Sequence, residues 1–211
     1  MHQEAHPPEP WDLRGDGWVS AWLVRSSALP ALPAPTRPLT LLGVALVCTA
    51  FADYRPGGVL AYHELVAVVP VRRGARIGLS ITHAWVDSAA SRAGGRALWG
   101  IPKEAARFEV DPRGSASAHD GRRAVASVRL GGPVRWRLPV RARASVWQGV
   151  PGGVARTPLR YRGGVGFARL SWRVDPAGPL GWLRAARPLF GLALTDFRLR
   201  FGPRRSRSSR G

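Results

Sequence analysis

Short apolar or alternating runs, each soon cut off by glycine or proline, make up most of this chain. With 25 Gly and 19 Pro spread along 211 residues, few stretches stay uninterrupted long enough for a helix of ordinary length. The spacing is that of antiparallel strands joined by turns. The predicted strands are Trp18 to Arg25, Leu42 to Ala52, Leu60 to Val71, Arg76 to Val86, Arg107 to Val110, Arg123 to Leu130, Val134 to Arg141, Val165 to Val174 and Leu192 to Phe201. Arg72, Arg73, Gly74 and Ala75 supply a turn with a glycine free to take positive φ, so the third and fourth of these runs should pair as a hairpin. Helices are few. Asp87 can cap a short one through Ser88 to Ala93, which Gly94 and Gly95 would end, and a second is expected around Leu180 to Ala186.

The chain is 45% hydrophobic with nine Trp, six Phe and three Tyr, enough to bury a core within one domain of ordinary length. That domain is read as residues 1 to 201, with Ser27 to Pro38 as a connector inside it. GPRRSRSSRG, residues 202 to 211, has no apolar anchor and reads as a disordered basic tail. Cys48 is the single cysteine, so no internal disulfide can form, and its apolar run is broken too soon by Asp53 and Arg55 to span a bilayer. The start, MHQEAHPPEPWD, carries acids and prolines where a secretion signal needs basic residues and an apolar core. These features point to a cytoplasmic protein with no membrane partner.

A formal charge of +19 invites a nucleic-acid reading. The arginines, however, occur in nearly every segment and often alternate with apolar residues, as in VRWRLPVRAR, the pattern of a strand's solvent face. That scatter argues against nucleic-acid binding as the main function. GGVARTPLRYRGGVGF lacks the lysine and following helix of a phosphate loop, and no serine-hydrolase elbow is present.

Of the 32 basic residues only Lys103 is a lysine. Most surface roles of a cation are open to arginine, whereas only an amine can lose a proton and attack a carbonyl. Trp99, Gly100, Ile101 and Pro102 place bulky apolar surface and a chain reversal just before it. An amine held against such a wall is expected to have a lowered pKa, because desolvation disfavours the ammonium. The alternative is a solvated lysine paired with Glu104. Glu64 is the only acid between Asp53 and Asp87, on a run with Tyr62, Val66 and Val68 on its own side and Leu65, Ala67 and Val69 on the other. A carboxylate there must be paired, hydrogen-bonded or protonated, unless it sits at a strand end beside an arginine such as Arg76. His63 and His83 have no neighbouring ligands for a metal and are read as structural, and no cofactor is implied.

AYHE, the strand pair after it, and WVDSAASRAGGRALWGIPKE together resemble the acetoacetate decarboxylase family, continuously from about Leu42 to Glu104. The stretch Gly95 to Lys103, with its Gly-Arg and Pro-Lys, is the most specific part. The resemblance implies an antiparallel β-barrel or cone with an apolar interior, a few short helices and a homo-oligomeric assembly. It also implies that Lys103 forms a Schiff base with a small β-keto acid or related carbonyl compound, for decarboxylation or aldol-type chemistry. Glu64 would orient substrate or move protons, and Tyr62, Trp99 and Ile101 would line the pocket. Two positions depart from the family pattern. Glu104 stands where the decarboxylases carry a second lysine, although in an extended chain it would face away from residue 103. Arg14 is the candidate for the arginine that meets the substrate carboxylate near the first strand, without a clear alignment. The rival functions are a barrel that binds a small carboxylate or hydrophobic ligand without turnover, and a basic nucleic-acid-binding protein.

Overall fold

The computed structural model describes residues 5 to 111, 113 to 121 and 123 to 204; most of the basic tail lies outside the described residues. Its strands are β1 (Trp11–Arg25), β2 (Arg37–Pro38), β3 (Thr40–Leu41), β4 (Val44–Tyr54), β5 (Tyr62–Arg73), β6 (Arg76–Val86), β7 (Lys103–Ala105) and β8 (Arg107–Asp111). They continue as β9 (Ser115–Asp120), β10 (Arg123–Leu130), β11 (Arg135–Val150), β12 (Gly153–Ala168), β13 (Leu170–Val174) and β14 (Pro188–Phe201). The helix α1 spans Ala89–Trp99, between β6 and β7.

A large sheet runs β2-β5-β4-β1-β14-β12-β11-β6-β7, and β5 pairs with β6 as well. The pairings among β5, β4, β1, β14, β12, β11 and β6 therefore form a circuit. A second sheet, β13-β10-β9-β8, is hydrogen-bonded separately from the first. The fold is mainly β, as expected, but the purely antiparallel arrangement is corrected: β6 runs parallel to β7 and to β11. The reason is local. Parallel neighbours need a crossover, and α1 supplies it between β6 and β7.

One apolar cluster draws on every strand of the circuit, including Leu13, Tyr54, Tyr62, Val86, Val146, Leu159 and Phe197, together with Trp99 of α1. The other cluster lies on the opposite face, where Phe51, Leu65, Val69, Trp85 and Trp147 meet Val125 and Val128 of the second sheet. The period-two alternation of β5 feeds both: Tyr62 and Val66 face one cluster, Leu65, Ala67 and Val69 the other.

The circuit is closed weakly at one place, since β11 and β6 share a single register pair, Val146 with Leu79. There the buried side chain of Gln148 substitutes for a backbone ladder. Its Oε1 accepts from Ile81 N at 2.9 Å and Ser80 Oγ at 3.1 Å, and its Nε2 donates to Ile81 O at 3.0 Å.

Several element boundaries differ from the sequence reading for identifiable reasons. β1 begins at Trp11 rather than at residue 18, because Gly15 and Gly17 are close-approach positions in a bulge, not a break. A Cβ on Gly15 would lie 2.0 Å from Asp53 O. The run from Val134 continues to Val150, the phosphate-loop-like stretch is the long strand β12, and the run from Val165 splits at Arg169 into β12 and β13. β9, SASAHD, has small residues that carried no strand signal. The hairpin at Arg73 and Arg76 forms with Gly74 at φ 58°. The expected second helix is only a 3-10 turn, Gly181–Leu183.

Candidate active site

The segment from Ser88 to Lys103 is built around its glycines. Ser88, not Asp87, caps α1, its Oγ accepting from Ser91 N at 3.2 Å. Asp87 instead holds His63, through its backbone N at 2.8 Å and its Nδ1 at 2.7 Å. The helix passes through Gly94 and Gly95, because both are needed as contact surfaces. A Cβ on Gly94 would come within 2.5 Å of the Trp11 ring, and one on Gly95 within 2.6 Å of Lys103 Cδ. Gly100 ends the helix in the left-handed conformation at φ 70°, pressed against Gly149 O. Arg96 then fastens the returning strand: its Nε donates to Lys103 O and its Nη2 meets Glu104 Oε1, both at 2.6 Å. Glu104 is exposed, so it takes no part in the interior.

β7 pairs in parallel with β6, Lys103 beside Ala84. The alternation of β7 turns Lys103 inward, where it is 4% exposed. Its ammonium has three N–H groups and finds three acceptors: Glu64 Oε1 at 2.8 Å, Ser91 Oγ at 2.9 Å and Tyr62 OH at 3.3 Å. The Tyr62 ring centroid is 5.0 Å from Nζ. Glu64 is also buried, and its second oxygen accepts from Tyr54 OH at 3.0 Å. Tyr54 and Tyr62 face each other across β4 and β5, with ring centroids 4.6 Å apart.

The electrostatics correct one expectation. Burial pulls the Lys103 pKa down, but the Glu64 carboxylate and then Tyr62 outweigh it, so the net direction is up from the ordinary lysine value. The amine is therefore held as a cation in an ion pair rather than neutralised by an apolar wall. Burial, then the Glu64 charge, push the Tyr62 phenol up to about 12, and the same two causes hold Tyr54 well above its ordinary value. Both phenols stay neutral hydrogen-bonding groups.

Lys103, Glu64 and Tyr62 are thus brought together. Trp99 and Ile101 are buried close by in the chain: the Trp99 ring packs on Trp11 and Phe201 and its indole N–H donates to Glu9, while Ile101 O accepts from Lys103 N. Arg14 is not brought to the site. Leu13 faces the inner cluster, so Arg14 points to the other side of β1, where it pairs with Asp196 at 3.6 Å. Tyr54 and Ser91 are the partners that sequence reasoning missed. Their positions depend on strand register and helix phase, neither of which leaves a local motif.

Ala52, the cross-strand partner of Glu64, also lines a groove of about 360 Å³ with Asp53, Arg55, His63 and Phe108. The larger groove of about 650 Å³ lies on the second sheet, among Ser115, Ser117 and Ser127, away from the lysine. His83 stacks on Trp85 and Trp182, and burial pushes its pKa down. Among the described residues no His, Cys, Asp and Glu cluster is placed to hold a metal ion. No described helix is long and apolar enough to cross a membrane.

A mainly β protein with one buried lysine–glutamate pair, the lysine following a Gly-Arg helix end and a Pro, defines a recognisable class. The acetoacetate decarboxylase family model matches residues 3–180, and the chain belongs to that family. Among solved structures, an acetoacetate decarboxylase from Legionella pneumophila is similar, with TM-score 0.75 and 19% identity over 97% of this chain and 89% of that one. The enduracididine biosynthesis enzyme MppR, complexed with pyruvate, gives TM-score 0.66 at 15% identity, covering 94% and 90%. An acetoacetate decarboxylase-like enzyme from Sphingomonas wittichii gives TM-score 0.66 at 15% identity, covering 94% and 92%. No curated protein sequence matches the chain.

Proposed function

We propose that this protein carries out imine chemistry on a small carbonyl compound, with Lys103 as nucleophile and Glu64 as its proton partner. The observation that supports this best is the 2.8 Å contact between the chain's single lysine and a buried carboxylate. Because the amine is held charged, it must first shed a proton, and Glu64 Oε1 is placed to take it. That transfer leaves a neutral amine beside a neutral acid and changes no net charge.

The nitrogen lone pair then attacks the carbonyl carbon, and a proton passes from nitrogen to oxygen to give a carbinolamine. Glu64 returns its proton to the departing hydroxyl, water leaves, and an iminium faces a carboxylate where an ammonium did before. With a β-keto acid, the electrons of the breaking carbon–carbon bond enter the iminium as carbon dioxide departs. The resulting enamine takes up a proton and water releases the ketone. An aldol-type reaction would instead direct that enamine at a second carbonyl carbon. MppR has been solved with pyruvate and with the condensation product of pyruvate and imidazole 4-carboxaldehyde, which makes 2-keto acids and aldehydes reasonable probes alongside β-keto acids. Tyr62 and Ser91 hold the amine in place, and Trp99 and Ile101 back the wall behind it. Homo-oligomeric assembly, with the same fold repeated, belongs to this reading and is tested by sedimentation.

Borohydride reduction in the presence of acetoacetate, pyruvate or simple ketones, followed by intact mass and peptide mapping, tests the proposal. Only Lys103 and the chain's α-amino group can be labelled, so the map is unambiguous. The expected result is a reduced adduct on Lys103 that Lys103→Arg abolishes. No adduct across the panel would leave the second reading, binding without turnover, which is favoured by the full engagement of all three ammonium N–H groups.

A further inference from the structure

The arginines that look scattered in the sequence are gathered by strand register onto one face. Arg14 of β1 pairs with Arg198 of β14, Arg198 with Arg162 of β12, and Arg162 with Arg141 of β11. One step along the strands, Asp12 pairs with Arg200, Arg200 with Arg160, and Arg160 with Arg143. Directly paired residues point to the same side, and Leu13, Leu199 and Tyr161 between them face the inner cluster. All seven arginines therefore line one outward groove of about 580 Å³.

Two of the seven have an acid within reach: Arg200 meets Asp12 at 2.8 Å and Arg14 meets Asp196 at 3.6 Å. Arg141, Arg143, Arg160, Arg162 and Arg198 are exposed and have no acidic partner among the described residues. Like charges directly opposite each other across strands destabilise a sheet. A sheet that places four arginines side by side in one row and three in the next works against its own stability unless something neutralises them. A second copy of the same face, brought up across a two-fold axis, would only add to the repulsion.

We propose that this face is a binding site for a linear run of phosphate groups. The rows lie about 7 Å apart and their members about 5 Å apart, the spacings of alternate residues along a strand and of neighbouring strands. Each guanidinium offers a planar fork to phosphate oxygens. A chain of linked phosphates would neutralise several arginines at once, whereas a single phosphate could meet only adjacent ones. The Lys103 site is built from β5, β7 and α1 and adjoins the inner cluster, whereas the arginines face outward from β1, β11, β12 and β14, so the two sites are separate.

Fluorescence anisotropy with a labelled single-stranded oligonucleotide, competed by inorganic tripolyphosphate and repeated from about 50 to about 200 mM salt, reads this directly on the full chain. Each phosphate contact on a single strand contributes a slope of about −0.7 in log affinity against log salt. The variant Arg160→Ser/Arg162→Ser/Arg198→Ser should flatten that slope by about 2 and weaken binding at least tenfold. Replacing the tail residues Arg205, Arg207 and Arg210 by serine should leave the slope close to wild type. If the tail variant collapses binding and the triple variant does not, the site is overturned, as it is if neither probe binds at the lowest salt. Preference for the oligonucleotide over tripolyphosphate identifies a nucleic-acid strand as the source of the phosphates, and the reverse preference a free polyphosphate. Thermal unfolding gives an independent readout that needs no variant. Tripolyphosphate should raise the wild-type midpoint above that in sodium chloride of equal ionic strength, and an equal midpoint counts against the site.

Discussion

Lys103 has a full set of partners, and its replacement tests what that pairing contributes. Removing one member of a buried ion pair costs about 3–5 kcal/mol, whereas replacing both by apolar residues is often neutral or stabilising. Lys103→Met and Glu64→Leu should each lower stability to urea by that order, and the double variant should recover most of the loss. Non-recovery in the double variant would mean that Tyr54, Ser91 and Tyr62 need the charges more than the pair needs itself. The pH dependence has a definite sign. Lys103, Tyr62 and Tyr54 all have folded pKa values raised above their unfolded ones. The stability they contribute is complete below about pH 10 and drains away as pH rises further, through about 12 for Tyr62. Denaturant midpoints should thus hold through mild alkali and fall above about pH 10, less steeply in Tyr62→Phe. At this scale much was legible in the sequence. A solitary lysine and a carboxylate in an apolar run are both visible as anomalies. The lysine's charge state was not, because it depends on three acceptors from β5 and α1 that only the folded register brings within 3.3 Å.

The helix α1 and its glycines set the lysine's position, and two alanine substitutions separate packing from placement. At Gly95 the added methyl would press first on the stem of Lys103, while alanine is the better helix former by about 1 kcal/mol. Gly95→Ala should therefore displace Nζ and reduce borohydride trapping, at a stability cost smaller than the loss of about 3–5 kcal/mol on removing a member of the pair outright. At Gly100 a methyl would need positive φ and would collide with the Gly149 carbonyl 2.2 Å away, so Gly100→Ala should lose about 1–3 kcal/mol in denaturant unfolding. The helix start was legible from Asp87, a residue type that caps helices, with the cap in fact one residue later at Ser88. Its end was not, since Gly94 and Gly95 look like a stop signal and in fact serve as contact surfaces for Trp11 and Lys103.

Across the whole molecule, strand content was legible from punctuation, but the order of pairing was not. Nothing local in Trp11 to Arg25 announces Pro188 to Phe201 as its neighbour, and that pairing is what lines up the arginines. Nor does a lone glutamine signal that it will bridge the seam between β6 and β11. Gln148→Leu would leave the Ile81 N–H and C=O without their partners, a loss of about 1–3 kcal/mol for each buried group left unpaired. The expected outcome is a lower unfolding midpoint and faster amide exchange at Ile81 and its neighbours than elsewhere in β6. Uniform exchange along β6 would mean that the seam is held by side-chain packing alone.

β14 sits between β1 and β12 yet is synthesised after both. On the ribosome, its two neighbours must wait for it as an open gap. Throughout that interval the nascent chain has Lys103 and Glu64 but lacks Phe197 and Phe201, which help cover the inner cluster. The aromatic contacts of Phe197 with Tyr54 and of Phe201 with Trp99 therefore form only once β14 has joined its neighbours, so that wall of the inner cluster is the last to close.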